Sequence, residues 1–296
     1  METERRLVRL ADGRDIEFLT AGPADGLPLV VHEGTPVGLV LNNRLASAAA
    51  GRGLRVVQVA RPGYEGSTPR PGRTVADFVP DVIAVLDQIG AAEFVSIGFS
   101  GGGPHTLACG ALAPERCLST ASVAGAAPYR VEGLDFLAGM GPENVEEFSL
   151  AIRGEDALTP FLEKGAAALR GITGEQIVAS LGGLISGADA AVLTGEFAAD
   201  LAKSLSRAVR NGIAGWRDDD LAFVADWGFP LDALRGRAAI WQGDQDNMVP
   251  FAHGQWLAAH VPGARVHLES GAGHLTMTVT AIGRILDDLL DQAGGA

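Results

Sequence analysis

Between Phe94 and Pro104 the chain reads Phe-Val-Ser-Ile-Gly-Phe-Ser-Gly-Gly-Gly-Pro, a run that few backbone arrangements accommodate. Apolar residues lead into Gly98-Phe99-Ser100-Gly101-Gly102, and a helix-like segment follows from His105. This pattern describes a buried strand that turns sharply into a helix with Ser100 at the apex. Gly98 and Gly102 leave room where strand and helix converge, so strained backbone at the serine is tolerated. Pro104 suits the first helical turn, where its missing N–H costs little. Because the chain contains 40 glycines, the Gly-x-Ser-x-Gly spacing has weight only through the strand before it and the helix after it.

The rest of the chain alternates strand and helix on either side of this turn. Residues 5–20 alternate around Asp12-Gly13, which predicts an antiparallel hairpin. Leu29-Val30-Val31 reads as a buried strand ending in the loop His32-Glu33-Gly34-Thr35-Pro36. A helix from Asn42 to Ala50, a strand over Leu54–Val59 and the loop Arg61–Ser67 follow. Thr74–Asp77 resembles a capping box opening a helix to Ile89, in which Pro80 requires a kink or a fresh start. A helix over 105–113 and a strand over Ser119–Val123 complete the first half.

From 129 to 229 the pattern becomes helical throughout, with apolar faces at Glu143–Arg153, Glu155–Arg170, Gly174–Leu184 and Ala188–Arg210. Alternation then resumes with a strand over Ala238–Trp241, a helix over His253–His260, a strand over Arg265–Leu268 and a final helix from Thr276 to Gln292. The expected organisation is an α/β core, 1–128 and 230–296, with a helical lid inserted at 129–229. Within the lid, Asp218-Asp219-Asp220 is expected to be a solvated face or helix start.

Composition narrows the partners. A formal net charge of -13 argues against nucleic acid or an anionic membrane, since both select basic surfaces. No apolar run approaches the roughly 20 residues of a membrane span, and the start of the chain lacks a secretory pattern. Cys109 and Cys117 are too few for a disulfide framework and are expected to be reduced core thiols of a cytoplasmic protein. Arginine far outnumbers lysine, which suggests a GC-rich bacterial coding bias. No His, Cys or Asp grouping has metal-ligand spacing, so no metal is expected.

A serine hydroxyl needs a base to take its proton and a carboxylate to orient that base. Among six histidines, His253, His260 and His267 lie on element faces, His105 sits just behind the turn, and His32 borders a glycine loop. His274 follows the last predicted strand in the loop Ser270-Gly271-Ala272-Gly273-His274 and can project across the sheet top; it is assigned as base. Asp246, deeper in its loop than Asp244, is assigned as the acid, and Asp244 is expected to bond to its own turn. The N–H groups of Thr35 and Gly101 are the expected oxyanion donors, since Pro36 has none.

With these residues assembled, the sequence resembles the α/β-hydrolase superfamily over nearly its whole length. Gly34-Thr35-Pro36, Arg61-Pro62-Gly63-Tyr64, the turn at Ser100, and Gly243–Pro250 with Gly273-His274 carry the likeness. It implies a mostly parallel eight-stranded sheet flanked by helices, an inserted helical cap, a Ser-Asp-His triad and no cofactor. The expected activity is a serine hydrolase acting on a small-molecule acyl substrate: a small or medium carboxylic ester, lactone or thioester. Amide or carbon–carbon bond cleavage would use the same parts, and a repurposed binding protein or biosynthetic catalyst would keep the fold. Related dehalogenases and epoxide hydrolases carry aspartate at the turn, where this chain has Ser100. Three positions depart from the family pattern: Glu33, Ala60 and Glu65. Glu33 and Phe99 are candidate pocket residues, with Glu33 expected to point away or to pair with Arg61.

Overall fold

Strands β1 (Thr3–Arg9) and β2 (Asp15–Ala21) form the expected hairpin, with Leu10 N–H donating to Arg14 and Gly13 at positive φ in the turn. Strands β3 (Leu27–His32), β4 (Leu54–Val59), β5 (Phe94–Phe99), β6 (Cys117–Val123), β7 (Ala238–Gly243) and β8 (Arg265–Glu269) complete a single sheet. Its order is β1-β2-β4-β3-β5-β6-β7-β8, and every pairing beyond β4 is parallel. The computed structural model describes residues 3–234 and 236–294.

Parallel strands covered on both faces must be apolar on both, and the alternation along each strand sorts side chains between two cores. Val30, Val57 and Ile240 face one core, where α2 (Val79–Gln88), α3 (Gly102–Leu112) and α10 (Phe251–His260) pack. Leu29, Val31, Val56 and Trp241 face the other, against α1 (Asn43–Ala50) and α12 (Ile282–Gly294). Cys109 and Cys117 are buried free thiols within the first core. Pro80 does mark a fresh start: a 3-10 turn over Ala76–Phe78 gives way to α2 with the proline in its first turn.

Among the described residues, β6 and β7 are separated by six α-helices: α4 (Pro142–Arg153), α5 (Glu155–Leu169), α6 (Ile177–Leu181), α7 (Gly187–Val192), α8 (Gly195–Ala208) and α9 (Ala214–Phe223). Two expected helices prove to be divided. The span from Ala188 to Arg210 breaks at Leu193-Thr194, and Gly195, which opens the second helix, takes a positive φ. The C-terminal span divides at Ala281, and its first part, α11 (His274–Thr280), begins at the histidine itself. His274 therefore stands on the first residue of a helix, not in a flexible loop. Asp218, Asp219 and Asp220 lie within α9 and are buried, at most 2% exposed, which overturns the expectation of a solvated face.

Candidate active site

Ser100 leaves the C-terminal end of β5 with φ of 53°, a left-handed backbone that side chains rarely adopt and that marks stored strain. The surroundings hold it there: Ser100 N–H donates to Val123 O at 2.9 Å, and Ser100 O accepts from Gly103 N–H at 2.8 Å. A side chain at Gly98 would strike the Gly102 carbonyl, and one at Gly102 would strike the His32 carbonyl. Behind the turn, Thr106 Oγ1 donates to Ser96 Oγ at 2.7 Å, which satisfies two hydroxyls in the core.

His274, at the start of α11, meets Asp246 from the loop after β7. His274 Nδ1 lies 2.8 Å from Asp246 Oδ2, which also accepts from Gln242 Nε2 at 2.9 Å. Asp246 Oδ1 accepts from the N–H groups of Met248 and Val249 at 2.9 and 2.8 Å, so the carboxylate cannot rotate freely. A proton on Nδ1 facing a carboxylate leaves Nε2 as the unprotonated nitrogen of a ring that lines the same cavity as Ser100. Burial would lower the proton affinity of the ring, but the Asp246 charge and hydrogen bond, with Asp189 beyond, hold it above the ordinary histidine value. Asp244 bonds elsewhere, accepting from Ser270 Oγ and Gly271 N–H across to the next loop, not within its own turn.

The other histidines are occupied. His32 and His105 stack on one another behind the serine turn, and burial keeps both neutral, His32 at about 3. His253 is buried between Ala127 N–H and Phe136 O, while His260 and His267 stack on Trp256 and Trp241.

The loop after β3 is set by Arg61, which donates to the carbonyls of Glu33 and Gly34 at 2.6 and 2.8 Å and to Thr35 Oγ1 at 3.0 Å. In a trans peptide the C=O and N–H point in opposite directions. Tying the Gly34 carbonyl to Arg61 therefore turns the Thr35 N–H away from it. Gly101 lies beside this loop, since a side chain there would meet Thr35 Oγ1 at 2.6 Å. Gly34 also backs onto the serine turn: a Cβ there would stand 3.3 Å from that of Ser100.

Arg61 does not pair with the Glu33 carboxylate, contrary to expectation. Its charge partner is Asp219 of α9, which also accepts from Arg73, from Tyr64 Oη at 3.0 Å and from Thr35 Oγ1 at 2.8 Å. Those guanidinium groups overcome burial and hold Asp219 well below the usual carboxylate range. Glu33 instead lines the cavity, with its Oε1 accepting from Gln58 Nε2 at 3.1 Å. Burial pushes it up to about 7 against the opposing pull of Arg61.

The cavity measures about 470 Å³ and runs between the sheet top and the inserted helices. Phe99, Phe136, Phe148, Leu201 and Phe223 give it a mostly apolar wall. Its charged groups are mainly acidic: Glu33, Glu143, Glu147, Glu196, Asp200 and Asp220, against the exposed Arg44. Glu147 and Asp220 face each other: burial raises both, the Glu147 charge and hydrogen bond raise Asp220 further, and the hydrogen bonds from Asp220 and Trp216 pull Glu147 back down. Arg61, Arg73, Asp219 and Asp189 were not singled out as site residues from sequence, because their partners lie tens to more than a hundred residues away.

A family model described as alpha/beta hydrolase fold matches residues 28–279. A non-heme chloroperoxidase of Streptomyces lividans is 29% identical over 152 residues, 51% of this chain and 55% of that protein. Epoxide hydrolase B of Mycobacterium tuberculosis is 27% identical over 149 residues, 48% of this chain and 41% of that protein. These alignments span about half the length of the curated relatives the chain matches. Among solved structures, a hydrolase from Pseudomonas aeruginosa superimposes with a TM-score of 0.68 at 20% identity, covering 97% of this chain and 98% of that one.

Proposed function

The chain belongs to the α/β-hydrolase fold family, and on that premise we propose that it is a serine hydrolase cleaving a small or medium carboxylic ester, lactone or thioester through an acyl-enzyme on Ser100. One observation carries the reading: Ser100 on its strained turn and the His274–Asp246 pair, 2.8 Å apart, line the same cavity.

In the proposed reaction His274 Nε2 takes the Ser100 proton as Oγ attacks the acyl carbon. Asp246 keeps the proton already on Nδ1 and stabilises the imidazolium that forms. The N–H groups of Thr35 and Gly101 receive the negative charge on the carbonyl oxygen. Collapse expels the alkoxide or thiolate, which takes the proton from His274; water, deprotonated by the same nitrogen, then releases the acid and restores Ser100. The relative named an epoxide hydrolase offers a different chemistry, but a serine at the turn favours acyl transfer. About 470 Å³ of largely apolar space suits a small or medium acyl group.

A fluorophosphonate tests this directly. The intact protein is expected to gain a single adduct at Ser100, and Ser100→Ala to gain none and to lose at least about 1000-fold in ester turnover. An unlabelled protein, beside a known serine hydrolase that labels in the same tube, overturns the reading.

A further inference from the structure

The first turn of any helix leaves backbone N–H groups without intrahelical acceptors, and a side chain just before the helix usually takes them. Helix α11 has no such residue: its first position is His274, and the preceding Gly273 has no side chain. The acceptor comes instead from α7, 85 residues earlier, where Asp189 is fully buried. Its Oδ2 accepts from His274 N–H at 3.1 Å, and its Oδ1 from Leu275 N–H at 2.8 Å, Thr276 N–H at 2.9 Å and Thr276 Oγ1 at 3.0 Å. Ser186 completes the arrangement, its hydroxyl donating to Asp189 Oδ2 at 3.1 Å and accepting from Asp189 N–H at 3.2 Å.

Gly273 is fitted to this carboxylate. Its φ of -98° and ψ of -170° are extended backbone open to any residue. A Cβ there, however, would fall on the Asp189 carboxylate and the Ser186 hydroxyl. The missing side chain therefore serves the approach of an acid from the inserted helices.

We propose that Asp189 is a positioning residue for His274, capping from the inserted region the helix on which the histidine stands. The inference rests on His274 being the base, as read above. The residue is then gripped by two carboxylates, its ring by Asp246 from the loop after β7 and its backbone by Asp189 from α7. Around the same cavity stand Glu33 from the loop after β3, Glu147 from α4 and Asp220 from α9. Placing the inserted helices and setting the position of the base thus become one structural event. The Asp189 charge also favours the protonated ring, adding to the larger effect of Asp246.

The test is an NMR titration of the His274 ring, with hydrogen exchange of the amides at 274–276, in the intact chain and in Asp189→Asn. In the unmodified protein the Leu275 and Thr276 amides should exchange at least about 100-fold more slowly than free first-turn amides. Rapid exchange there overturns the proposal without any variant. Asp189→Asn should lower the His274 midpoint by about 0.5 to 1 pH unit and remove the protection, while Asp189→Glu should restore part of both. An unmoved midpoint with intact protection overturns the proposal. The acid limb of kcat/KM against pH should follow the ring; a ring that moves without the limb leaves Asp189 in place and refutes His274 as the base.

Discussion

At position 33 a carboxyl group stands in the loop after β3, two residues before Thr35, and accepts from the side-chain amide of Gln58. Burial holds it at about 7 against an ordinary 4.5, so the native protein carries the extra proton between those values. The unfolded chain binds fewer protons in that window, and stability falls as pH rises through it. Glu33→Gln should therefore be more stable than the unmodified protein at pH 8, on the order of 1 kcal/mol for a half-buried group, and equal to it at pH 4. Urea unfolding at the two pH values measures this; an equal or lower stability of the variant at pH 8 refutes it. The identity of residue 33 as a departure from the family pattern was legible in the sequence. Its surroundings were not, because Arg61 looked like the nearest available cation and is occupied by an acid from α9.

Helix α9 shows why elements are easier to read than their contacts. The apolar periodicity of 129–229 identified helices, but Asp218-Asp219-Asp220 carries the signature of a wet surface, and like charges in sequence say nothing of a partner 158 residues away. In the fold, Asp219 is fully buried between Arg61 and Arg73 and joins the inserted helices to the loop after β3. Removing one member of a buried charge pair leaves the other uncompensated, typically at about 3–5 kcal/mol. Asp219→Asn should destabilise the protein by that order, read from urea midpoints near neutral pH; a loss below about 1 kcal/mol would show the arginines to be solvated instead. The folded value of Asp219 lies below its unfolded 3.8, so its contribution is present above pH 4 and is lost as the solution is acidified below it. One division has a local mark, the positive φ of Gly195 where α8 begins, whereas the start of α11 at His274 is capped by Asp189 from a distance that no sequence pattern records.

At the scale of the molecule, the sheet and its serine turn were readable because a strand period, a helix period and three glycines agree on one geometry. The pairing of Asp246 with His274 followed the same logic of loops at the sheet top, while the charge of the cavity depended on which acids the inserted helices bury. That charge has a consequence for the direction of turnover. On the proposed function a neutral ester enters and a carboxylate must leave, past Glu33 and the Glu147–Asp220 pair. Like charges at this range in a poorly solvated space repel, so the acid should bind at least about 10-fold more weakly than the ester it came from. Product-inhibition constants at pH 6 and pH 8 measure it: inhibition should weaken at the higher pH, where Glu33 is ionised, and Glu33→Gln should abolish that change. Equal inhibition at both pH values would exclude Glu33 from the effect. On that function the reverse reaction is slowed to the same degree, because the acid that leaves is disfavoured from returning to the acyl-enzyme.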